Sequence, residues 1–255
     1  MNNFTYSVPT KIHFGKGQIS HLYELSESGN KVLLCYGGGS IKKAGIYDEA
    51  VKILKEEDIE IFELSGIAPN PKIESVREGV KLCKENDIDM VLAIGGGSVI
   101  DCAKVVAAGA CYDGDPWDLV ITPRWIKKAL PIYSVLTLSA TGSEMDPFAV
   151  ISDMSKNEKW GTSSEHMKPK MSILDPEYTY SVSKKQTAAG TADMISHICE
   201  NYFTNVKNAD VQARFAEGLL KNCFKYGPIA LEEPDNYDAR ANLMWTASMA
   251  INGIL

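Results

Sequence analysis

The sequence predicts an α/β domain over residues 1–176 followed by an all-helical domain over residues 177–255. Three observations predict it. Up to Asp175-Pro176, short apolar runs alternate with amphipathic stretches, the pattern of a mostly parallel sheet covered on both faces. Beyond that point the apolar residues recur only at helical spacing, and no convincing strand follows. Two glycine clusters each sit directly behind an apolar run, where a strand passes into the next segment.

Taken in order, Lys31–Tyr36 (KVLLCY) reads as a buried strand, because it is apolar along nearly its whole length. Tyr47–Glu57 is a helical pattern with its charges on one side, and Ile59–Leu64 is a second strand. Pro69-Asn70-Pro71 breaks the chain before Ser75–Asn86 returns as a helix. Met90–Ile94 is a strand, a helix starts at about Ser98, and Ile132–Leu138 is strand-like again. Lys184–Tyr202, Asp210–Phe224 and Tyr237–Ile251 carry helical periodicity. The chain ends WTASMAINGIL, apolar and uncapped, so the helical domain is expected to be incomplete.

Composition narrows the function classes. A net charge of -7 argues against a broad nucleic-acid-binding face, which needs clustered Lys and Arg to displace counterions. The N-terminus MNNFTYSVPTKIHF lacks the basic-then-apolar order of a secretory signal, and apolar runs such as Val105–Cys111 are too short to cross a bilayer. The expectation is a cytoplasmic protein with no membrane partner. Six scattered cysteines without a C-x-x-C pair read as small buried thiols in a reducing compartment.

Gly95-Gly96-Gly97-Ser98 follows the strand MVLAI and opens a helix. Glycines let a ligand approach the backbone, and a helix N-terminus offers N–H groups and the positive end of a dipole to a pyrophosphate. Ser98 and Asp101 also fit a capping box, in which both merely start the helix. Lys104 either supports an anion or is a solvated helix residue. Gly37-Gly38-Gly39-Ser40 follows KVLLCY, where NAD-binding folds usually place an acidic residue on the ribose hydroxyls. Glycine, serine and the nearby Lys42 and Lys43 suit a 2′-phosphate, favouring NADP(H) over NAD(H); the alternative is a flexible turn with two solvated lysines. Thr137-Leu138-Ser139-Ala140-Thr141-Gly142-Ser143-Glu144 brings four hydroxyls to a strand exit, a pattern also common in turns.

Asp193 and His197 stand four residues apart in a helical segment, on one face and one turn apart. Spacing alone favours an ordinary Asp–His surface pair over two metal ligands, and a catalytic metal usually takes at least three protein ligands. The other histidines, His13, His21 and His166, lie in no segment that obviously pairs with this helix.

Together these residues resemble a family. The pattern G-G-G-S-x-x-D-x-x-K (Gly95 to Lys104), TLSATGSE (Thr137 to Glu144), LDPEYT (Leu174 to Thr179) and G-x-x-D-x-x-x-H-x-x-E (Gly190 to Glu200) are similar, in this order, to iron-containing (group III) alcohol dehydrogenases. GGGSIKKAGIYD, GIAPNP, RFAEGLL and NYDARANLMW resemble more narrowly the NADP-linked butanol dehydrogenase or aldehyde reductase branch. The resemblance implies a Rossmann-like dinucleotide-binding domain followed by a helical domain, in the architecture shared with dehydroquinate synthase, with the active site between them. It places Gly38, Gly39 and Ser40 at the 2′-phosphate, Gly95, Gly96, Gly97 and Ser98 at the pyrophosphate, and Thr137, Thr141 and Ser143 along the nicotinamide half. Asp101, within the glycine motif, and Lys159 complete the implied cofactor set. Asp193 and His197 match the first two ligands of an Fe²⁺ or Zn²⁺ site, and the family's two further histidines fall downstream of the NGIL stretch. Asp146 stands where relatives commonly carry Asn, which bears on the polarity of the substrate pocket. The implied reaction is hydride transfer between nicotinamide and a primary alcohol or aldehyde, in a homodimer at full length. The alternatives are an inactive nucleotide-binding fragment and a dehydroquinate synthase-like lyase, which calls for a basic cluster that AAGTADMISHICENYF lacks.

Overall fold

A computed structural model describes residues 2–255. Six parallel strands form the central sheet: β1 (Lys11–Phe14), β2 (Lys31–Tyr36), β3 (Glu60–Leu64), β4 (Met90–Gly95), β5 (Ile132–Leu136) and β8 (Met171–Leu174), in the order β1-β8-β5-β4-β2-β3. Between β5 and β8 the chain makes an antiparallel hairpin, β6 (Phe148–Asp153) with β7 (Glu158–Ser163). The remaining helices are α1 (Ser40–Lys43), α2 (Ile46–Glu56), α3 (Ile73–Asn86), α4 (Gly97–Ala110), α5 (Pro116–Ile121), α6 (Lys184–Tyr202), α7 (Asp210–Glu232) and α8 (Tyr237–Ile251). An irregular 3-10 segment, Gln18–Ser28, follows β1.

Strand alternation divides the core. Leu33, Cys35, Val91 and Ala93 point to the face covered by α3, α4 and α5, whereas Val32, Leu34, Met90, Leu92 and Ile94 point to the face covered by α2 and the 3-10 segment. A sheet buried on both faces needs apolar residues at successive positions, which is why β2 and β4 read as continuous runs. The third cluster, with Met194, Ile198, Cys223, Leu243 and Ala247, lies among α6, α7 and α8. Cys35, Cys83, Cys102 and Cys223 are buried thiols as expected, whereas Cys111 is exposed.

The expected elements are present with shifted ends, and some were not foreseen. The strand expected over 132–138 stops at Leu136, and the helix expected to end at Phe224 runs on to Glu232 through Pro228. Both sheet-completing strands, β1 and β8, were missed, as were the hairpin and α5. No strand follows Leu174. Among the described residues, no helix is long and apolar enough to cross a membrane.

Chain direction places the crevice. From β2 the chain leaves through α2 on one face of the sheet; from the neighbouring β4 it leaves through α4 on the other. Such a switch point opens a gap at the carboxyl ends of the two strands, where ligands bind in doubly wound sheets. The two glycine clusters, Gly37–Gly39 behind β2 and Gly95–Gly97 behind β4, both fall there.

Candidate functional site: a glycine-lined cleft and an Asp–His pair on one helix

A cleft of about 410 Å³ occupies the switch point, lined by Gly37, Gly38, Ser40, Gly96, Gly97, Ser98, Thr137 and Thr141, with Ile46, Pro69 and Tyr178. It also reaches Gln186 in the first turn of α6. Most of the residues expected at a dinucleotide therefore converge here, although they come from three separate loops. Among the described residues, no carboxylate, lysine or arginine lines the cleft. A Cβ on Gly38 or Gly39 would meet nothing within 4 Å, so the end of the cleft at β2 is open. At the other end, α4 begins at Gly97 with Gly96 as its N-cap, and no side chain caps it. Its first N–H groups are the kind of donors a phosphate satisfies.

This corrects the capping-box alternative. Ser98 is inside the helix, and its hydroxyl receives the Asn70 N–H at 3.3 Å instead. Lys159 stands at the rim through Asn70, with Nζ 2.7 Å from the Asn70 side-chain oxygen. Lys42 is already engaged, 3.7 Å from Glu63 and over the rings of Tyr36 and Tyr47, so it is not the free cation that the sequence pictures beside a 2′-phosphate.

Two members of the expected cofactor set lie beneath the cleft rather than in it. Asp101 accepts a hydrogen bond from the Ser143 hydroxyl at 2.7 Å and from the Val150 N–H at 2.9 Å. Ser143 in turn accepts from Lys104 at 2.9 Å. Lys104 is fully buried, and its ammonium also donates to Asp146 Oδ1 and the Phe148 carbonyl, both at 2.8 Å. All three ammonium protons thus have acceptors, the condition for tolerating a cation out of water. Lys104 is neither an anion ligand nor solvated: it ties α4 to the loop of residues 137–148. Asp146 turns into this network. Burial pushes the Asp101 carboxyl up to about 6.

The same loop is clamped from the helical side. Gly142 sits at φ 69, where an added Cβ would strike the Ala247 carbonyl of α8 at 2.8 Å. On Gly190 of α6, a Cβ would come within 2.5 Å of the Ser139 carbonyl. Glu144 is completely buried and accepts a hydrogen bond from the Ser248 hydroxyl of α8, while its second oxygen has no partner. Loss of water raises its carboxyl to about 7.

Asp193 and His197 project from α6 with Asp193 Oδ1 and His197 Nε2 3.8 Å apart. The pair is half-buried, and the His197 Nδ1 is buried without a hydrogen-bond partner. The nitrogen that faces the Asp193 carboxylate is the other one, Nε2, and this nitrogen and oxygen form a mixed donor pair of the kind a divalent metal accepts. Gln186, Gly190, Asp193 and His197 share one helix face, since their spacings are four, three and four residues. Seven residues at helical rise set Asp193 about 10 Å along the axis from Gln186, which lines the cleft.

Residues 9–176 match the family described as Iron-containing alcohol dehydrogenase. The chain belongs to that family. NADH-dependent butanol dehydrogenase A of Clostridium acetobutylicum is 59% identical over all of this chain and 66% of its own length. The NADPH-dependent aldehyde reductase YqhD of Escherichia coli is 45% identical over the same shares. The crystal structure of NADH-dependent butanol dehydrogenase A from Thermotoga maritima superposes with a TM-score of 0.97 at 48% identity, covering all of this chain and 64% of that one. The chain thus spans about 66% of the length of these curated relatives. The Rossmann-like sheet with its helical part is the arrangement of these enzymes. The relatives include both NADH- and NADPH-dependent proteins, and the family name specifies iron, not zinc.

Proposed function

We propose that this chain carries the cofactor cleft and the first two metal ligands of an iron-dependent, NADP-linked alcohol dehydrogenase or aldehyde reductase. Its substrates are primary alcohols or aldehydes of the butanol type, as the names of its relatives indicate. The observation that carries this reading is the single face of α6, which runs from the cleft at Gln186 to Asp193 and His197. One rigid element would then set the separation between the cofactor cleft and the residues that would hold the metal, and fixed placement of reacting groups lowers a reaction barrier.

In this reading Gly96, Gly97 and Ser98 hold the pyrophosphate at the start of α4, and Thr137 and Thr141 orient the nicotinamide half. Among the described residues, the cleft contains no carboxylate to bind the ribose diol or repel a 2′-phosphate, which supports NADP(H). Bound iron supplies Lewis-acid polarisation of the substrate oxygen. Asp193 and His197 hold it from one side. The family resemblance places two further histidine ligands downstream of Leu255.

The test is a chimaera in which this chain is continued by the remaining third of the Clostridium butanol dehydrogenase. With Fe²⁺ added, it should reduce butyraldehyde, followed as loss of NADPH absorbance, whereas the 255-residue chain alone should stay at background. His197→Ala in the chimaera should lower the rate by about 100-fold or more. Iron-dependent turnover that survives His197→Ala would remove the metal assignment.

A further inference from the structure

Away from the cleft, β1 and the 3-10 segment bring together two of the four histidines. His13 Nε2 lies 2.9 Å from Glu24 Oε1, and His21 Nδ1 lies 3.2 Å from the same oxygen. The imidazoles are stacked, with ring centroids 3.6 Å apart and planes within 9°. Donor atoms of His13, His21 and Glu24 all lie within 4.8 Å of one another, and among the described residues this is the one such group of three or more His, Cys, Asp or Glu.

We propose that His13, His21 and Glu24 form a zinc-binding site, separate from the Asp193/His197 pair and from the cofactor cleft. Two imidazoles and one carboxylate are a zinc ligand set that leaves a fourth position for water. The three side chains are between 12% and 31% exposed, so solvent reaches that position while the ligands stay ordered. His13 Nε2 is buried and, despite its short contact with Glu24, makes no hydrogen bond of acceptable geometry. It is therefore a nitrogen with an unused lone pair or proton, close to a carboxylate but not directed at it. Glu24 divides its oxygens: Oε2 is held by Lys11 Nζ at 2.7 Å, while Oε1 faces both imidazoles.

The framework is set by two different constraints. His13 is fixed by parallel pairing of β1 with β8, opposite Ile173. His21 and Glu24 are fixed by the 3-10 segment, whose Ile19, Leu22 and Leu25 are fully buried. Zinc requires the two nitrogens to face a common point, which the stacked rings reach by turning about χ2, a soft torsion in histidine. Strand β1 is three strand spacings, about 14 Å, from β4. Metal here ties the edge strand to the 3-10 segment and takes no part in hydride transfer. Because the ligands come from segments that meet only in the fold, zinc binds the native state and stabilises it.

The experiment titrates the 255-residue chain with Zn²⁺ by calorimetry, on an Asp193→Ala/His197→Ala background that removes the other candidate ligands. One zinc per chain should bind, and its addition should raise the melting temperature. His21→Ala and Glu24→Gln should each weaken binding by about tenfold or more and abolish the thermal shift. Lys11→Ala, which removes the competing cation at Glu24, should tighten binding. Circular dichroism of each variant without metal checks that it is folded, and His21→Asn serves where His21→Ala is not. Absence of one-to-one binding at micromolar zinc, or binding unchanged in folded His21 and Glu24 variants, overturns the proposal.

Discussion

The stretch from Thr137 to Phe148 has two sides, built on opposite rules. Toward the cleft it presents Thr137 and Thr141, next to glycine backbone and a helix N-terminus, with no charged side chain among the lining residues. Beneath the cleft, the same stretch contributes Ser143, Glu144 and Asp146 to buried contacts with Asp101, Lys104 and Ser248. A binding surface must keep its donors and acceptors available, and backbone groups and hydroxyls do so at little cost when the cleft is filled only by water. Charges placed there would hold one another instead. Placed below, out of water, they interact strongly and hold the loop to α4 and α8. The difference teaches that the charged residues of this motif pair with one another below the cleft, and that none of them is among the residues lining it.

If that division is right, substitutions below the cleft should change stability, and substitutions in it should change binding. The largest effect should follow Lys104→Met, which leaves Asp146 buried and unpaired. Removing one partner of a buried pair costs about 3–5 kcal/mol, read as a fall in the urea midpoint. Asp146→Asn added to Lys104→Met should recover much of that loss, and full additivity of the two changes would break the picture of a shared network.

Glu144 should give a smaller, pH-dependent effect. Its folded carboxyl stands at about 7 against 4.5 for the free group, so the folded state binds more protons in that window. Stability contributed by the protonated form is then full below about 4.5 and lost as pH rises through about 7, by roughly 3 kcal/mol in total. Asp101 acts with the same sign. Melting temperatures measured across this range should fall with pH in the native protein, and Glu144→Gln should flatten the slope. An unchanged slope in that variant would show that Glu144 is ionised in the fold.

The smallest change in stability should come from the cleft itself. Gly38 is exposed, and a Cβ there meets nothing within 4 Å, whereas Gly39 at φ 99 would strain any side chain. Gly38→Asp should therefore alter stability by less than about 0.5 kcal/mol. It should weaken NADPH relative to NADH by about tenfold or more, through repulsion of the 2′-phosphate. Equal affinities of the native chain for the two cofactors would show that an open cleft without carboxylates is not enough to select NADP(H).

Much of the sheet was legible because β2 and β4 are buried on both faces and therefore apolar throughout. Lys11–Phe14 and Met171–Leu174 were not, because each has four residues and gains its strand character from pairing with the other across most of the chain. The stop expected at Phe224 fails because the carbonyl that Pro228 leaves without a donor belongs to an exposed residue, where water can satisfy it. In the site, the glycines were legible, since glycine before a helix has few other uses. The roles of Asp101 and Lys104 were not inferred, although a signal existed. Helix α4 reads GSVIDCAKVVAAGA, apolar almost all round, and such a helix is buried on every side. Its lone Asp and Lys had to be paired with something inside the protein, not with solvent or ligand. Asp193 and His197 were legible as a pair only through the family pattern, because one helical turn between an acid and a histidine is common on any surface.

The central claim is that the gap between β2 and β4 binds a nicotinamide dinucleotide through glycine backbone and the start of α4. It is tested most directly by titrating the 255-residue chain with NADPH, followed by nicotinamide fluorescence, beside Gly97→Val and Lys104→Met. Gly97 lines the cleft, and a Cβ there would meet Thr141 Oγ1 at 2.4 Å, so valine must push Thr141 and the start of α4 apart and disturb the place where the phosphate is proposed to sit. The account predicts saturable one-to-one binding that Gly97→Val abolishes, and that Lys104→Met retains wherever circular dichroism shows that variant folded. Saturable binding that is unaffected in folded Gly97→Val would put the dinucleotide elsewhere and contradict it.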